Sequence, residues 1–153
     1  MKYIGIDPGK SGSVTVIEGE SLRVTATPVI GKEYNVRQMF TLLDAEKNNA
    51  VAILERAQAM PRQGVVSMFE FGRGYGIWIG LLSALNLPFR IVHSRVWTRM
   101  LLMGAPGEGK ERAFFVARNL FPQWNPKLKK EYQFCDSILL AEYGRRIYTN
   151  NQL

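Results

Sequence analysis

One cysteine, Cys135, and one histidine, His93, are all that this chain of 153 residues holds of the two residue types that build zinc sites. A lone thiol excludes an internal disulfide framework and is what a reducing compartment leads one to expect. No Cys/His cluster at zinc-ligand spacing exists. Long apolar runs are missing as well, because no window approaches the roughly 18 residues of a membrane span. The pattern turns strand-like from Lys2 onward, so no signal or transit peptide is expected. Repeats, low-complexity tracts and linkers are absent, and one domain over residues 1–153 is the simplest expectation. A chain of this length can bury about 70% of its unfolded surface around a single core.

Acidic residues are the scarcer charge, 13 against 20 Lys and Arg, for a formal net charge of +7. The imbalance is local. Residues 1–85 carry nine basic and eight acidic side chains, whereas residues 86–130 carry nine basic ones against Glu108 and Glu111 alone. Those nine are Arg90, Arg95, Arg99, Lys110, Arg112, Arg118, Lys127, Lys129 and Lys130. A polyanion-binding face needs such asymmetry, since each neutralised phosphate releases counterions. On charge alone, a solvated basic surface that aids solubility explains it equally well.

Residues 2–7 (KYIGID), 13–18 (SVTVIE) and 22–28 (LRVTATP) predict three strands joined by turns. Asn35, with Gln38 three residues on, predicts a helix cap before the apolar series Val36, Met39, Phe40 and Leu43. VAILE at 51–55 reads as a buried strand and FRIV at 89–92 as another. Between them, residues 64–85 carry apolar groups at helical spacing, interrupted by Gly72, Gly74, Gly76 and Gly80. Ser94 is a candidate cap for a helix through Leu102, and two further helices are expected over 110–120 and 132–148. Three antiparallel-type strands followed by strands alternating with helices predict a mixed α/β sheet covered by helices.

Residues 104–110, GAPGEGK, fit the phosphate-loop spacing G-x-x-x-x-G-K. The residue after Lys110 would then need a hydroxyl for magnesium, but it is Glu111, and Glu108 adds a second repulsive charge. Only 43 residues follow Lys110, too few for the remaining strands of a nucleotide hydrolase. A flexible loop that carries a lysine is the better reading, and no nucleotide cofactor is expected.

Three carboxylates stand at the ends of predicted elements: Asp7 after the first strand, Glu55 closing VAILE, and Asp136 near the start of the last helix. Each has a local explanation. Asp7 can cap the PGKSG turn, Glu55 can pair with Arg56, and Asp136 can interact with a helix dipole. Together they can also converge at one edge of the sheet. Oxygen ligands on rigid elements suit Mg²⁺, with Mn²⁺ a possible substitute. Two such ions about 4 Å apart would stabilise both the attacking water and the departing 3′ oxygen in phosphodiester hydrolysis. Combined with the basic segment, a shared site accounts for more than three separate local roles do.

GIDPGKSG at a strand-to-strand turn, AILE closing the fourth strand and CDSILLAEYG in the last helix resemble the RuvC family of Holliday junction resolvases. The likeness runs through almost the whole chain and includes VHSRVWTRMLLMGAPGEGKERA, similar to the family's basic stretch. It implies an RNase H-like fold whose five-stranded mixed sheet has three antiparallel strands and then two parallel ones, flanked by helices. It also implies Asp7, Glu55 and Asp136 as ligands of Mg²⁺, two ions per site, in an endonuclease that nicks four-way DNA junctions as a homodimer. Lys110 and Arg99 fall where the family places basic residues near the cut phosphate. Arg95, Arg112 and Arg62 complete the expected DNA contacts. The helix at 64–85, with Phe69, Phe71, Tyr75 and Trp78, takes the place of the dimer-forming helix; the same aromatics also suit an ordinary core. An intracellular, DNA-associated protein is implied, in a cellular or a viral recombination system.

Two departures stand out. Three residues before Asp136, where the family has an acid or a histidine, this chain has Gln133, which can ligate only weakly and brings no charge. Glu131 lies about 140° away on a helix and could help only if the helix starts after it. The aromatic that some relatives wedge into the junction is not evident in ERAQAMPRQG, where Gln58, Met60 and Arg62 stand instead. A non-cleaving binder of branched DNA and an RNA-processing nuclease of the same fold are therefore the competing expectations.

Overall fold

The computed structural model describes residues 1–58 and 64–150, apart from the side chains of Lys129 and Lys130. Strands β1 (Lys2–Ile6), β2 (Ser13–Glu18) and β3 (Ser21–Ala26) form an antiparallel meander. A two-residue-strand hairpin follows, β4 (Val29–Ile30) and β5 (Glu33–Tyr34), which the sequence pattern did not predict because it is too short to show a period. Helix α1 (Val36–Glu46) starts where Asn35 predicts. The Asn35 side chain accepts the Gln38 N–H at 3.1 Å and donates back to Gln38 Oε1 at 3.0 Å, satisfying an otherwise orphaned helix donor.

Strand β6 (Ala50–Glu55) then pairs parallel to β1, helix α2 (Val65–Ala84) crosses over, and β7 (Phe89–Val92) pairs parallel to β6. The sheet order is β3-β2-β1-β6-β7, three antiparallel strands and then two parallel ones, as predicted. Helices α3 (Ser94–Leu102) and α4 (Gly109–Leu120) follow, and a 3₁₀ segment (Lys129–Phe134) leads into α5 (Cys135–Asn150). Among the described residues no helix is long and apolar enough to cross a membrane.

Both sheet faces are covered, which is why β6 is apolar almost throughout. Ile4, Ile6, Ala52 and Leu54 face α1 and α2, packing with Met39, Leu43, Trp78 and Leu82. Ile17 and Ile53 face the opposite side with α3, α4 and α5, among Trp97, Leu101, Ala117 and Ile138. On that side Gly5 of β1 is the seat of α5. A Cβ there would fall on the Ser137 carbonyl oxygen and the Ala141 backbone nitrogen, so only glycine lets helix and strand come this close. Beside the seat, the buried Ser137 hydroxyl meets Ser13 Oγ at 2.6 Å and Thr15 Oγ1 at 2.7 Å, and donates to the Phe134 carbonyl at 3.0 Å. These bonds set the height of α5 along β2 and leave its hydroxyl group satisfied.

Several predicted boundaries shift: β3 ends at Ala26, not Pro28, and two helix starts also move. Ser94 is the first residue of α3, and the preceding His93 makes no side-chain cap bond. The last helix begins at Cys135, not Tyr132, because the Glu131 carboxylate turns back to accept the N–H groups of Lys127 at 3.0 Å and Leu128 at 3.2 Å. Those bonds hold the preceding turn tight.

Candidate active site

Strand register brings the first two acids together. Ile6 of β1 pairs with Leu54 of β6, and both face α1 and α2. Asp7 and Glu55 come one residue later, so side-chain alternation turns them to the opposite face. That face carries α5, whose seat on Gly5 sets Asp136, the second residue of the helix, at the same edge.

Their electrostatics show how near they are. Burial pushes Asp7 up to about 6, with the Asp136 carboxylate adding to the rise, while the Lys110 ammonium and the Gly9 backbone N–H pull it down. Burial likewise pushes Glu55 up to about 7, helped by Asp7 and Asp136 and opposed by the Trp97 indole N–H and by Lys110. Asp136 itself is ion-paired with Lys110 Nζ. Burial works against the charged form of Lys110, but neighbouring acidic groups, Asp136 foremost and Asp7 behind it, together hold the ammonium above its ordinary range. The buried Cys135 thiol lies 3.5 Å from Asp136 Oδ1, and burial drives it far above its usual value, so it takes part as a neutral group.

Of the local roles open to these acids, two are realised, and Asp136 stands in the first turn of α5 at the positive end of the helix dipole. Asp7 does bind the PGKSG turn through the Gly9 N–H. Glu55 does not pair with Arg56. Instead Arg56 Nη1 reaches His93 Nε2 at 3.1 Å, while Gln58 hydrogen-bonds His93 Nδ1 from the other side.

An open cleft of about 1390 Å³ runs between α3 and α4. Glu55 and Asp136 line it together with Arg95, Arg99, Lys110 and Arg112. Four of the predicted DNA-contacting cations and two of the predicted acids therefore share one concavity, with Asp7 electrostatically coupled from behind. The GAPGEGK loop joins two helices, α3 and α4, not a strand to a helix, and delivers Lys110 to the first turn of α4. Arg112 Nε donates to the Gly107 carbonyl at 2.8 Å and steadies that loop.

Other predicted residues stand apart. Gln133 is half-buried on the 3₁₀ segment and does not line the cleft. Glu131 is engaged by backbone N–H groups. Arg62 and Met60 lie outside the described residues. On α2, Trp78 is core and Tyr75 packs against it, whereas Phe69 is 68% exposed.

Trp97 was not singled out from the sequence, yet its Nε1–H donates to Glu55 Oε1 at 3.2 Å. The available signal was an indole on the apolar stripe of a short basic helix, since a buried Trp N–H needs a partner. His93 with Arg56 and Gln58 is a second cluster that sequence reading missed.

A divalent cation suits the chemistry of these donors. Three carboxylates, two of them raised by burial and mutual repulsion, are offset by only one ammonium, so further positive charge is stabilising. As the side chains stand, no three acidic, cysteine or histidine groups among the described residues close on a common point, and Asp136 is engaged by Lys110 Nζ.

No protein-family profile matches the chain, and no curated protein matches it in sequence. Solved structures do match. RuvC of Thermus thermophilus in complex with Holliday junction substrate aligns with a TM-score of 0.66 at 15% identity, over 99% of this chain and 96% of that one. A second Thermus thermophilus RuvC structure aligns at 0.66 and 16% identity, over 97% and 98%. At that identity the likeness speaks for architecture: this chain has the RNase H-like fold of the RuvC Holliday junction resolvase.

Proposed function

We propose that this protein is a structure-selective DNA endonuclease that resolves four-way junctions by metal-dependent phosphodiester hydrolysis. One observation carries the reading: the acids Glu55 and Asp136 line the same cleft as Arg95, Arg99, Lys110 and Arg112. A polyanion attracted by the cations is thereby brought against the carboxylates. The RuvC complex with Holliday junction substrate supports branched DNA as that polyanion.

Asp7, Glu55 and Asp136 would hold Mg²⁺ or Mn²⁺. When bound, one or two such ions supply Lewis acidity to the phosphate and favour ionised water as nucleophile. Trp97 fixes one oxygen of Glu55 and leaves the other free. Lys110 exchanges Asp136 for the phosphate beside the cut, where its charge offsets that of the transition state. Arg95, Arg99 and Arg112 grip neighbouring phosphates and set the register of the strand.

Paired cuts require two sites, hence a homodimer. Helix α2 supports this with exposed Val65, Val66 and Phe69, and with Gly72, Gly76 and Gly80, whose missing side chains leave open space at four-residue intervals. A second helix could approach closely along that stripe.

The test is a synthetic four-way junction incubated with and without Mg²⁺ or Mn²⁺ and resolved on a denaturing gel. Asp7→Asn and Glu55→Gln are expected to abolish nicking and retain junction binding. If both cut at the parent rate, the proposal fails. The uncharged Gln133 and the Lys110–Asp136 ion pair favour one competitor, a junction binder that does not cut. That reading expects tight, salt-sensitive binding with no nicks under either metal. Competition between a DNA junction and structured RNA separates both from an RNA-processing role.

A further inference from the structure

The turn that follows Asp7 is held from outside as well as by its own bonds. Within it, the Asp7 N–H donates to the Ser13 carbonyl at 3.1 Å and the Gly12 N–H to the Gly9 carbonyl at 3.0 Å, while the Gly9 N–H serves the Asp7 carboxylate. Lys10 sends its side chain out of the turn. Its Nζ meets Glu70 Oε2 of α2 at 2.5 Å and donates to the Lys32 carbonyl, at the tip of the β4–β5 hairpin, at 2.5 Å. The same Glu70 oxygen accepts from Arg73 Nη2 at 2.7 Å, and Arg73 Nη1 pairs with Glu33 of the hairpin, also at 2.7 Å.

Beneath these charges lies the buried ring of Tyr34. Lys10 Nζ stands 5.3 Å and the Arg73 guanidinium 5.5 Å from its centroid, and its hydroxyl donates to the Glu70 carbonyl at 3.2 Å. Isolated surface ion pairs are worth little, but four alternating charges that share one oxygen and one ring form a network. Packing brings α2 against the turn at the same place. A Cβ on Gly74 would fall on Tyr34 Oη and within 2.8 Å of the Pro8 carbonyl oxygen, so helix and turn approach as closely as glycine permits. The Phe71 ring lies beside Gly9, 3.6 Å from where a Cβ would stand. Pro8, Gly9 and Lys10, the three residues after Asp7, are thus fixed to a helix as well as to the sheet.

We propose that Glu70, acting through Lys10, is a positioning residue for the divalent-cation site: it clamps the PGKSG turn to α2 and thereby sets the Asp7 carboxylate. The inference rests on the reading of Asp7, Glu55 and Asp136 as a metal site, and it separates two lysines. Lys110 pairs with an acid of the site and competes with the metal, whereas Lys10 pairs with Glu70 and supports the metal. The two roles differ in sign. If charge alone matters, removing a cation near three carboxylates strengthens their hold on a divalent ion. If the clamp matters, removing Lys10 weakens it.

The experiment measures Mn²⁺ binding to the metal-free protein by calorimetry, without DNA, for the parent, Lys10→Met, Glu70→Gln and the double variant. Each single variant is expected to bind Mn²⁺ about tenfold more weakly, as when a residue that orients a metal ligand is removed. The double variant should lose little more than either single one, because both substitutions delete the same contact. Circular dichroism and urea midpoints taken before metal is added establish that each variant is folded, and Glu70→Gln carries the test if Lys10→Met melts early. Parent affinity in either folded variant, or tighter binding by Lys10→Met, overturns the inference. So does a double variant whose loss is the product of the two single losses. Each of these results leaves the proposed function standing. A parent that binds Mn²⁺ but cuts no junction overturns the proposed function alone, and a parent that binds no Mn²⁺ overturns both.

Discussion

The indole nitrogen of Trp97 donates a hydrogen bond to Glu55 Oε1 across 3.2 Å, tying the wall of the cleft to its acidic floor. Trp97 is 3% exposed, so the bond is shielded from water and orients the carboxylate. Trp97→Phe keeps an aromatic ring and deletes the donor. Glu55, already near 7, then loses the hydrogen bond that pulls it down and moves higher. The pH midpoint of junction cleavage should shift upward, with activity recovering in alkali, and stability should fall by about 1.5–3 kcal/mol. A pH–rate profile in excess Mg²⁺ measures the shift; an unmoved midpoint would separate Trp97 from the ionisation of Glu55.

Asp7 near 6 and Glu55 near 7 lie above their ordinary values of 3.8 and 4.5. Between those limits the folded chain holds protons that the unfolded chain has released, so stability declines as pH rises through this window. The decline belongs to the coupled cluster and should be on the order of 2 kcal/mol for each raised acid. Urea midpoints of metal-free protein at pH 5 and pH 8 test it. Glu55→Gln, which lacks one of the titrations, should lose less stability over the same interval. Mg²⁺ should oppose the decline, since it binds ionised carboxylates.

Lys110 competes for the acids. Lys110→Ala frees Asp136, and divalent metal should bind the protein alone more tightly by calorimetry. The same change should end cleavage, weaken junction binding and reduce the slope of log affinity against log salt by about 0.9. Arg99→Ala should reduce that slope by a similar amount with metal affinity unchanged. An unaltered slope in both would make these residues part of a solvated basic surface.

Gly5 is the contact on which α5 rests. Gly5→Ala places a methyl group on the backbone of Ser137 and Ala141, which cannot give way without moving the helix that bears Asp136. A loss of about 3 kcal/mol or more is expected, at the upper end of overpacking effects. Gly144→Ala is the control, because its Cβ would meet only the Ile53 side chain, at 2.7 Å. Denaturant unfolding should rank Gly5→Ala far below Gly144→Ala.

Gly76→Ala separates folding from association. The position opens onto empty space, so the alanine should raise helix stability by about 1 kcal/mol at the level of one chain. If α2 forms the two-fold interface, the added methyl group should at the same time weaken the dimer, seen by sedimentation. Opposite signs in the two measurements support the interface; a dimer of parent strength places it elsewhere.

Short-range patterns in the residues were enough for much of this. The alternation of Ile4 and Ile6, the continuous AVAILE run and the Asn35–Gln38 cap specify strands and a helix through local geometry, because side-chain period and capping depend on near neighbours. The motifs around Asp7, Glu55 and Asp136 pointed to the fold that the RuvC structures share. Packing decided the rest. That Ser137 would find Ser13 and Thr15, that Arg56 would turn to His93, and that Trp97 would find Glu55 depend on which distant surfaces meet. Those meetings follow from where α5 and α3 settle on the sheet, and a single close approach at Gly5 governs the first of them. Such an approach brings together residues more than a hundred positions apart, where no local pattern can record it.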